Sequence, residues 1–362
     1  MNRHLPVLFL LIGASGAAPA SPVSLGVDFA SFLARADPVW SWNASSPSTM
    51  PTEWVESLFG GNGDLGFMLW AQSMTELRLN VHRQTTWDDR TPDLGLPYYL
   101  NNFVYDQPRL PCGFFRITWA SGAAPTSAVG RVSLFDAVAT LNVSTPTGSC
   151  ALAVWASAAH ASPDAGADVV VVEAEWTGSE ACSVVFVPEA AVSTWNGDDR
   201  YVPNPPPLNT TTVLSPELEL LLVSQPHLPQ KGTWHTAAVL REQLQPTRST
   251  TVWTVSPVLA GQAAADAWAK AEVLAAQAQL PGMRSAHETI WHQWWPAGGF
   301  VTFEYSLLES FFFIQLYKFK SGSRHRVVHD LEGPWFIEGT PWPDLHWGEF
   351  PFPQPPDDAT NF

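Results

Sequence analysis

From about residue 60 to 260, apolar and polar positions alternate in short runs separated by turn residues. In ELRLNVH (76–82), Leu77, Leu79 and Val81 fall on one face and Arg78, Asn80 and His82 on the other, the period of two that a half-buried strand shows. FFRITWA, CALAVWA, DVVVVEAEW, CSVVFVPEA, ELELLLV, TWHTAAVL and TTVWTVSPVL behave similarly. No helical run lies between them, which predicts a large antiparallel β-sandwich rather than βαβ units. YVPNPPPLNTTT (201–212) is predicted as an exposed loop.

Beyond residue 260 the period changes. GQAAADAWAKAEVLAAQAQLPG (261–282) is Ala-rich with no internal Gly or Pro, and predicts a helix halted by Pro281 and Gly282. A second helix is expected to start at Ser285, where Ser285 and Glu288 have capping-box spacing, and to carry His287, Trp291 and Trp294 or Trp295 along one side. A third covers about 304–320, with Gly322 after it and Lys318, Lys320 and Arg324 suiting its C-terminal dipole. Leu307, Leu308, Phe311, Phe312, Phe313, Ile314, Leu316 and Phe319 make this helix apolar nearly all round, so it expects neighbours on several sides. The fold class is therefore mainly β, a large antiparallel β-sandwich followed by helices. The expected divisions are a signal peptide over 1–20, the sandwich over 21–260, a helical linker over 261–300 and a final piece over 301–362.

Composition narrows the function classes. A chain of 362 residues exceeds one ordinary compact core. Hydrophobic residues at 46% and charged residues at 14% exclude a disordered chain. The net charge of -16 disfavours nucleic acid and anionic membrane surfaces as partners, because both require clustered Lys and Arg. The N-terminus reads as a secretory signal: Arg3 and His4, an apolar run over 5–12, then small residues ending Ala18-Pro19-Ala20, with cleavage expected after Ala20. That run is too short to span a bilayer, and no later segment reaches the ~20 apolar residues that a spanning helix needs. A secreted, extracellular product is expected, with Asn43, Asn142 and Asn209 heading glycosylation sequons. Cys112, Cys150 and Cys182 allow at most one disulfide and leave one thiol over.

Few motifs carry chemistry. GNGDLG (61–66) satisfies G-x-G-x-x-G, with Asp88 beyond it, yet a strand follows directly where a dinucleotide site needs a helix, so a tight turn with a positive-φ glycine is expected. In HETIWH the two histidines, His287 and His292, point about 140° apart on a helix and cannot share a metal. His325 and His329 have i, i+4 spacing but suggest no third ligand, so no metal and no cofactor is expected. Asp88 and Asp89 are adjacent and read as a solvated turn, not as a cooperating acid/base pair. The segment DLEGPWFIEGTPWPDLHW (330–347) interleaves Trp335, Trp342 and Trp347 with Glu332, Glu338, Asp344 and His346. Aromatic faces beside carboxylates suit a sugar, which has apolar C–H faces and a polar rim; tryptophans packed against the sandwich would give the same pattern.

Two separated segments, TEWVESLFGGNGDLGFMLW...ELRLNVHRQTTWDDR and LESFFFIQLYKFKSGSR...DLEGPWFIEGTPWPDLHW, together resemble glycoside hydrolase family 95. The first is similar to the opening of that family's N-terminal sandwich. The second is similar to the first helix of its (α/α)6 barrel and the loop after it. The resemblance implies that 301–362 is the truncated start of such a barrel. It also implies an inverting exo-glycosidase acting on α-L-fucosides or α-L-galactosides, with a Glu acid, and an Asp base acting on water. Trp342, Asp344, His346 and Trp347 are the substrate-binding residues it implies. The similarity stops between Trp347 and Gly348: the family's Asn-x-Asn-x-Gln run would begin at Gly348 and Phe350. The acid and base would then lie beyond this chain, and no catalytic residue is expected within it. Three readings stay open here: a fragment of a secreted glycosidase, a non-catalytic carbohydrate-binding or interaction protein that retains the sandwich, and a non-functional product.

Overall fold

The structure, a computed structural model, describes residues 26–45, 50, 52, 54–86, 110–158, 167–191, 205–228, 232–298, 300–324 and 334–335. The expected signal peptide lies outside them. Two antiparallel sheets carry the fold. The larger runs β1 (Val39–Asn43), β6 (Ser127–Ser133), β7 (Val138–Thr145), β8 (Gly148–Ala156), β9 (Val170–Gly178), β14 (Arg248–Val255), β13 (Thr233–Gln245), β12 (Leu218–Leu228) and β11 (Leu208–Ser215), with β15 (Leu259–Ala260) paired to β13. The smaller runs β10 (Cys182–Val187), β5 (Phe114–Trp119), β4 (Glu76–Arg83), β3 (Leu65–Ser73) and β2 (Leu58–Gly61). All eight runs read as strands from their alternation contain strands. The predicted loop over 201–212 needs correcting: from Leu208 onward it is the edge strand β11. Its β-branched Thr210, Thr211, Thr212 and Val213 favour the extended backbone, and Leu208 to Val213 pair with Ser224 to Glu219 of β12.

Alternation explains the core. Leu77, Leu79 and Val81 of β4 meet Leu141, Val143, Leu152, Val154 and Val172 of the large sheet between the two layers. The opposite face of the large sheet is covered by helix α2 (Gln262–Ala297), whose Ala269, Val273, Ala276 and Met283 pack on Trp155, Leu220, Ala238, Leu240 and Val252. Small alanines at these positions let the helix lie close to the sheet.

Helix α2 overturns the expected break at Pro281 and Gly282. It runs unbroken for 36 residues, about 54 Å at 1.5 Å per residue. Both residues lie on the exposed side, where the carbonyl that loses its donor to Pro281 can be hydrated. Ala276 before and Met283 after the proline are buried in one apolar cluster, which holds the two halves in line. The capping box at Ser285 is not used: Ser285 is mid-helix, its carbonyl accepts from Thr289 Oγ1 at 2.7 Å, and Glu288 pairs with Arg284. His287, Trp291 and Trp295 form the buried side.

Helix α3 (Ser306–Gly322) buries only one face, with Phe313 and Tyr317 fully covered beside Trp291 and Trp295. The short helix α1 (Phe29–Leu33) adds Phe32, 5.1 Å from Phe313. Of the several sides on which neighbours were expected, the described residues cover one, and against them Leu307 and Phe311 are 65% and 46% exposed.

Cys150 of β8 and Cys182 of β10 form a disulfide that joins the two sheets, while the buried Cys112 thiol lies against the carbonyl of Leu110. The bridge closes a loop of 32 residues. Replacing both cysteines by serine should lower the unfolding free energy by about 3–4 kcal/mol. Urea unfolding of the double variant beside the oxidised chain checks this, and equal midpoints would exclude the staple.

Candidate functional site

The GNGDLG turn organises the meeting of sandwich and helices. Gly61 pairs with Gly66 across the β2–β3 hairpin, so strand leads to strand and the dinucleotide geometry is not formed. Asn62 Oδ1 accepts from the N–H groups of Asp64 at 3.2 Å and Leu65 at 2.9 Å, closing the turn on itself. Its amide nitrogen donates to Ser157 O and to Asp168 Oδ1 on the large sheet's side, at 3.0 and 2.9 Å. Gly63 has φ +89°, and a Cβ there would meet the backbone of Ser323. Its N–H donates to Ser321 O, at the end of α3, at 2.7 Å. At Gly66 a Cβ would come within 2.5 Å of Pro334 O. The glycines are thus a landing surface for the end of α3 and for residue 334.

Beneath the hairpin lies a cluster of three carboxylates and two guanidiniums, in which Asp64, Asp168 and Arg83 are buried and Glu272 and Arg324 are partly exposed. Arg83 donates through Nη1 to Asp64 Oδ2, through Nη2 to Asp168 Oδ2 at 2.8 Å, and through Nε to Val255 O at 2.8 Å. Arg324, just past α3, donates to the same Asp168 oxygen at 2.9 Å and lies 3.6 Å from Asp64. Glu272 of α2 accepts from Asp168 N at 2.9 Å. Burial pushes the Asp64 and Glu272 carboxyls above their ordinary values; at Asp64 it outweighs the pull of Arg83. One guanidinium bridges Asp64 and Asp168 and fills the space where an inverting pair would hold water. Their oxygens point at arginines, at Asn62 and at Thr85. The cluster is a brace between the sheets, helix α2 and the residue that follows α3, not an acid/base pair.

The hairpin above the brace holds the described part of the segment in which the sugar residues were expected. Trp335 is buried, its Nε1 donates to Gly60 O at 3.0 Å, and its ring meets Phe59 edge-on at 5.4 Å. Lys318 Nζ stands 5.9 and 5.8 Å from the ring centroids of Phe59 and Trp335, and burial lowers this amine to about 8.

Trp342, Asp344, His346 and Trp347 lie outside the described residues, as do Asp88, Asp89, His325 and His329. Asn43, Asn142 and Asn209 are all exposed on strands. His287 and His292 do diverge: His287 is buried against Ala158 and the Asp136–Ala137 backbone, while His292 meets the Asp136 carboxylate at 2.8 Å and stacks on Phe135. Among the described residues no group of three His, Cys, Asp or Glu side chains is placed to hold a metal ion. No helix among them is long and apolar enough to cross a membrane. Sequence reading missed the brace, although Arg83 was legible in principle: continuing the alternation of Leu77, Leu79 and Val81 turns it inward, where a cation requires carboxylates.

No protein-family model matches the sequence, and a search of curated proteins returns no match. Among solved structures, one described as "Putative kojibiose phosphorylase from human microbiome" is similar over 70% of this chain at 9% identity and a TM-score of 0.40. The match covers 35% of that structure's length. A likeness at this level carries no functional argument, and the resemblance to family 95 rests on the two sequence segments.

Proposed function

We propose that the chain is the sandwich and helical shoulder of a secreted, glycoside hydrolase-like protein that engages α-L-fucosyl or α-L-galactosyl ends of glycans. One observation supports the reading above the others. The two segments that carry the resemblance, far apart in sequence, converge: Trp335 bonds to Gly60 across a separation of 275 residues, and Pro334 rests on Gly66. A hairpin built to hold the root of the Trp-rich segment is the arrangement that a sugar wall at Trp342, Asp344, His346 and Trp347 needs. The cross-sheet disulfide and the exposed sequons fit an oxidising, secretory route.

These 362 residues alone are proposed to bind without hydrolysing, since the resemblance puts the acid and base later and the buried carboxylates are committed to arginines. The test is direct. The chain, secreted from a eukaryotic host, is expected to begin at Ser21, to bind fucosylated glycans on an array, and to lose that binding in Trp342→Ala and His346→Ala. It should release no aryl alcohol from aryl α-L-fucosides or α-L-galactosides. A folded chain that binds no carbohydrate sinks the proposal; turnover by these residues sinks its non-catalytic part.

A further inference from the structure

We propose that Asn142 is a glycan acceptor whose first sugar lies on the outer face of the large sheet and covers the corner that helix α2 leaves open. The inference rests on the secretory reading above and deepens it.

Helix α2 covers that outer face only in part. Its buried side packs on Trp155, Leu220, Ala238, Leu240 and Val252, and its Arg284 reaches Glu173 of β9 at 3.2 Å. Beyond that contact, Val129 of β6 is 44% exposed and Ala151 of β8 is half-buried. Asn142 of β7 is the centre of this corner. It stands directly opposite Val129 on one neighbouring strand and Ala151 on the other, with Thr140 and Ser144 two positions away on its own strand. These neighbours are short and uncharged, so they form a shallow floor with one amide rising from it.

The sequon Asn142-Val143-Ser144 fits the period of the strand. Val143 is fully buried in the core between the sheets, which turns the Asn142 amide and the Ser144 hydroxyl to the same outward face. Asn142 is exposed, and its side chain makes no hydrogen bond with a described residue. A pyranose joined to the amide nitrogen has an apolar C–H face to lay on the floor and a hydroxyl rim to turn to water. Neighbouring strands lie about 4.8 Å apart, so one ring reaches both Val129 and Ala151 and takes their apolar surface out of water.

The chemistry balances with a lipid-pyrophosphate oligosaccharide donor of the secretory pathway. The side-chain amide nitrogen forms a C–N bond to the anomeric carbon. The anomeric C–O bond breaks, the lipid pyrophosphate leaves with the electron pair, and the amide proton passes to a base of the transferring enzyme.

The test uses the full chain secreted from a eukaryotic host. Its N-terminus is sequenced, and the peptide holding Asn142 is analysed by mass spectrometry before and after an amidase that converts a glycosylated Asn to Asp. The expected result is a chain that begins at Ser21 with Asn142 occupied. Ser144→Thr, which keeps the sequon, should stay occupied and melt with the parent. Ser144→Ala and Asn142→Gln should both lose the sugar and melt a few degrees lower, whereas trimming the parent's oligosaccharide to its first sugar with an endoglycosidase should leave melting unchanged. Val129→Ser should cost more in the occupied chain than in the Ser144→Ala chain, because only there does it remove a sugar contact. A chain that begins at Ser21 with Asn142 bare overturns this inference and leaves the secretory reading standing. A chain that keeps residues 1–20 and carries sugar at no sequon overturns both. Occupancy with additive effects of Val129→Ser and Ser144→Ala puts the sugar in solvent, off the sheet, and also overturns the inference.

Discussion

Arg83→Met should cost about 3–5 kcal/mol of unfolding free energy, the range found when one partner of a buried ion pair is removed and the other is left uncompensated. The methionine nearly matches the apolar volume but removes the closer guanidinium from Asp64 and Asp168, which keep Arg324 at 3.6 and 2.9 Å, and takes the Arg83 donor from Val255 O. Urea unfolding monitored by far-UV circular dichroism measures the loss. Asp64→Asn added to Arg83→Met should recover part of it, because the neutral amide needs no counter-ion at a site where burial already disfavours the charge. Arg324→Met should lose less, since that side chain is partly exposed, but proteases should then cut more readily just beyond Gly322, where Arg324 ties the residues after α3 to the sandwich. If Arg83→Met stays within about 1 kcal/mol of the parent, the cluster is not a brace.

The same cluster shows what could be read from sequence. Period-two runs such as ELRLNVH carry their structure locally, because a strand buried on one face must alternate, and β4 spans Glu76–Arg83 as its pattern implies. Gly63 was legible as a positive-φ turn for a similarly local reason. What decides Pro281 is not local. Proline forfeits one hydrogen bond in a helix interior, and the burial of Ala276 and Met283 on a shared sheet face outweighs that cost. β11 was hidden behind a proline-rich lead-in, and its pairing partner β12 comes after it in the chain. The brace joins residues from 64 to 324, and no window of sequence holds both ends of such a contact. The resemblance marked the hairpin and the Trp-rich segment separately; that Trp335 docks on Gly60 is visible only in three dimensions.

Lowering the pH from about 6.5 to 4 should destabilise the chain by an amount on the order of 5 kcal/mol through two buried histidines that cannot accept a proton in place. His287 Nδ1 accepts from Ala158 N–H at 3.2 Å, so its Nε2–H must donate to the Asp136 and Ala137 carbonyls. His235 Nε2 faces Gln225 Oε1 at 3.0 Å; an amide oxygen only accepts, so this nitrogen carries the hydrogen, and in the neutral ring Nδ1 accepts a hydrogen bond from His227 Nδ1 at 3.4 Å. Protonating His287 would set its Nδ1–H against the N–H of Ala158, and protonating His235 would put a charge in a fully buried site beside a second imidazole. Burial, the largest influence on both, and for His235 the neighbouring His227, lower them to about 4 and about 3. The unfolded chain takes up both protons near pH 6.5 while the folded chain does not, so stability is whole above that value and falls as pH drops toward the folded values. Asp64 and Glu272 act oppositely: raised in the fold, they favour the protonated folded state on the acid side and reduce the net slope. The histidine contribution is therefore isolated by difference. His287→Gln should flatten stability against pH by about one proton between pH 6.5 and 4, whatever its effect at pH 7. An unchanged slope would mean that His287 titrates in the folded chain, and that the bond from Ala158 does not hold it neutral.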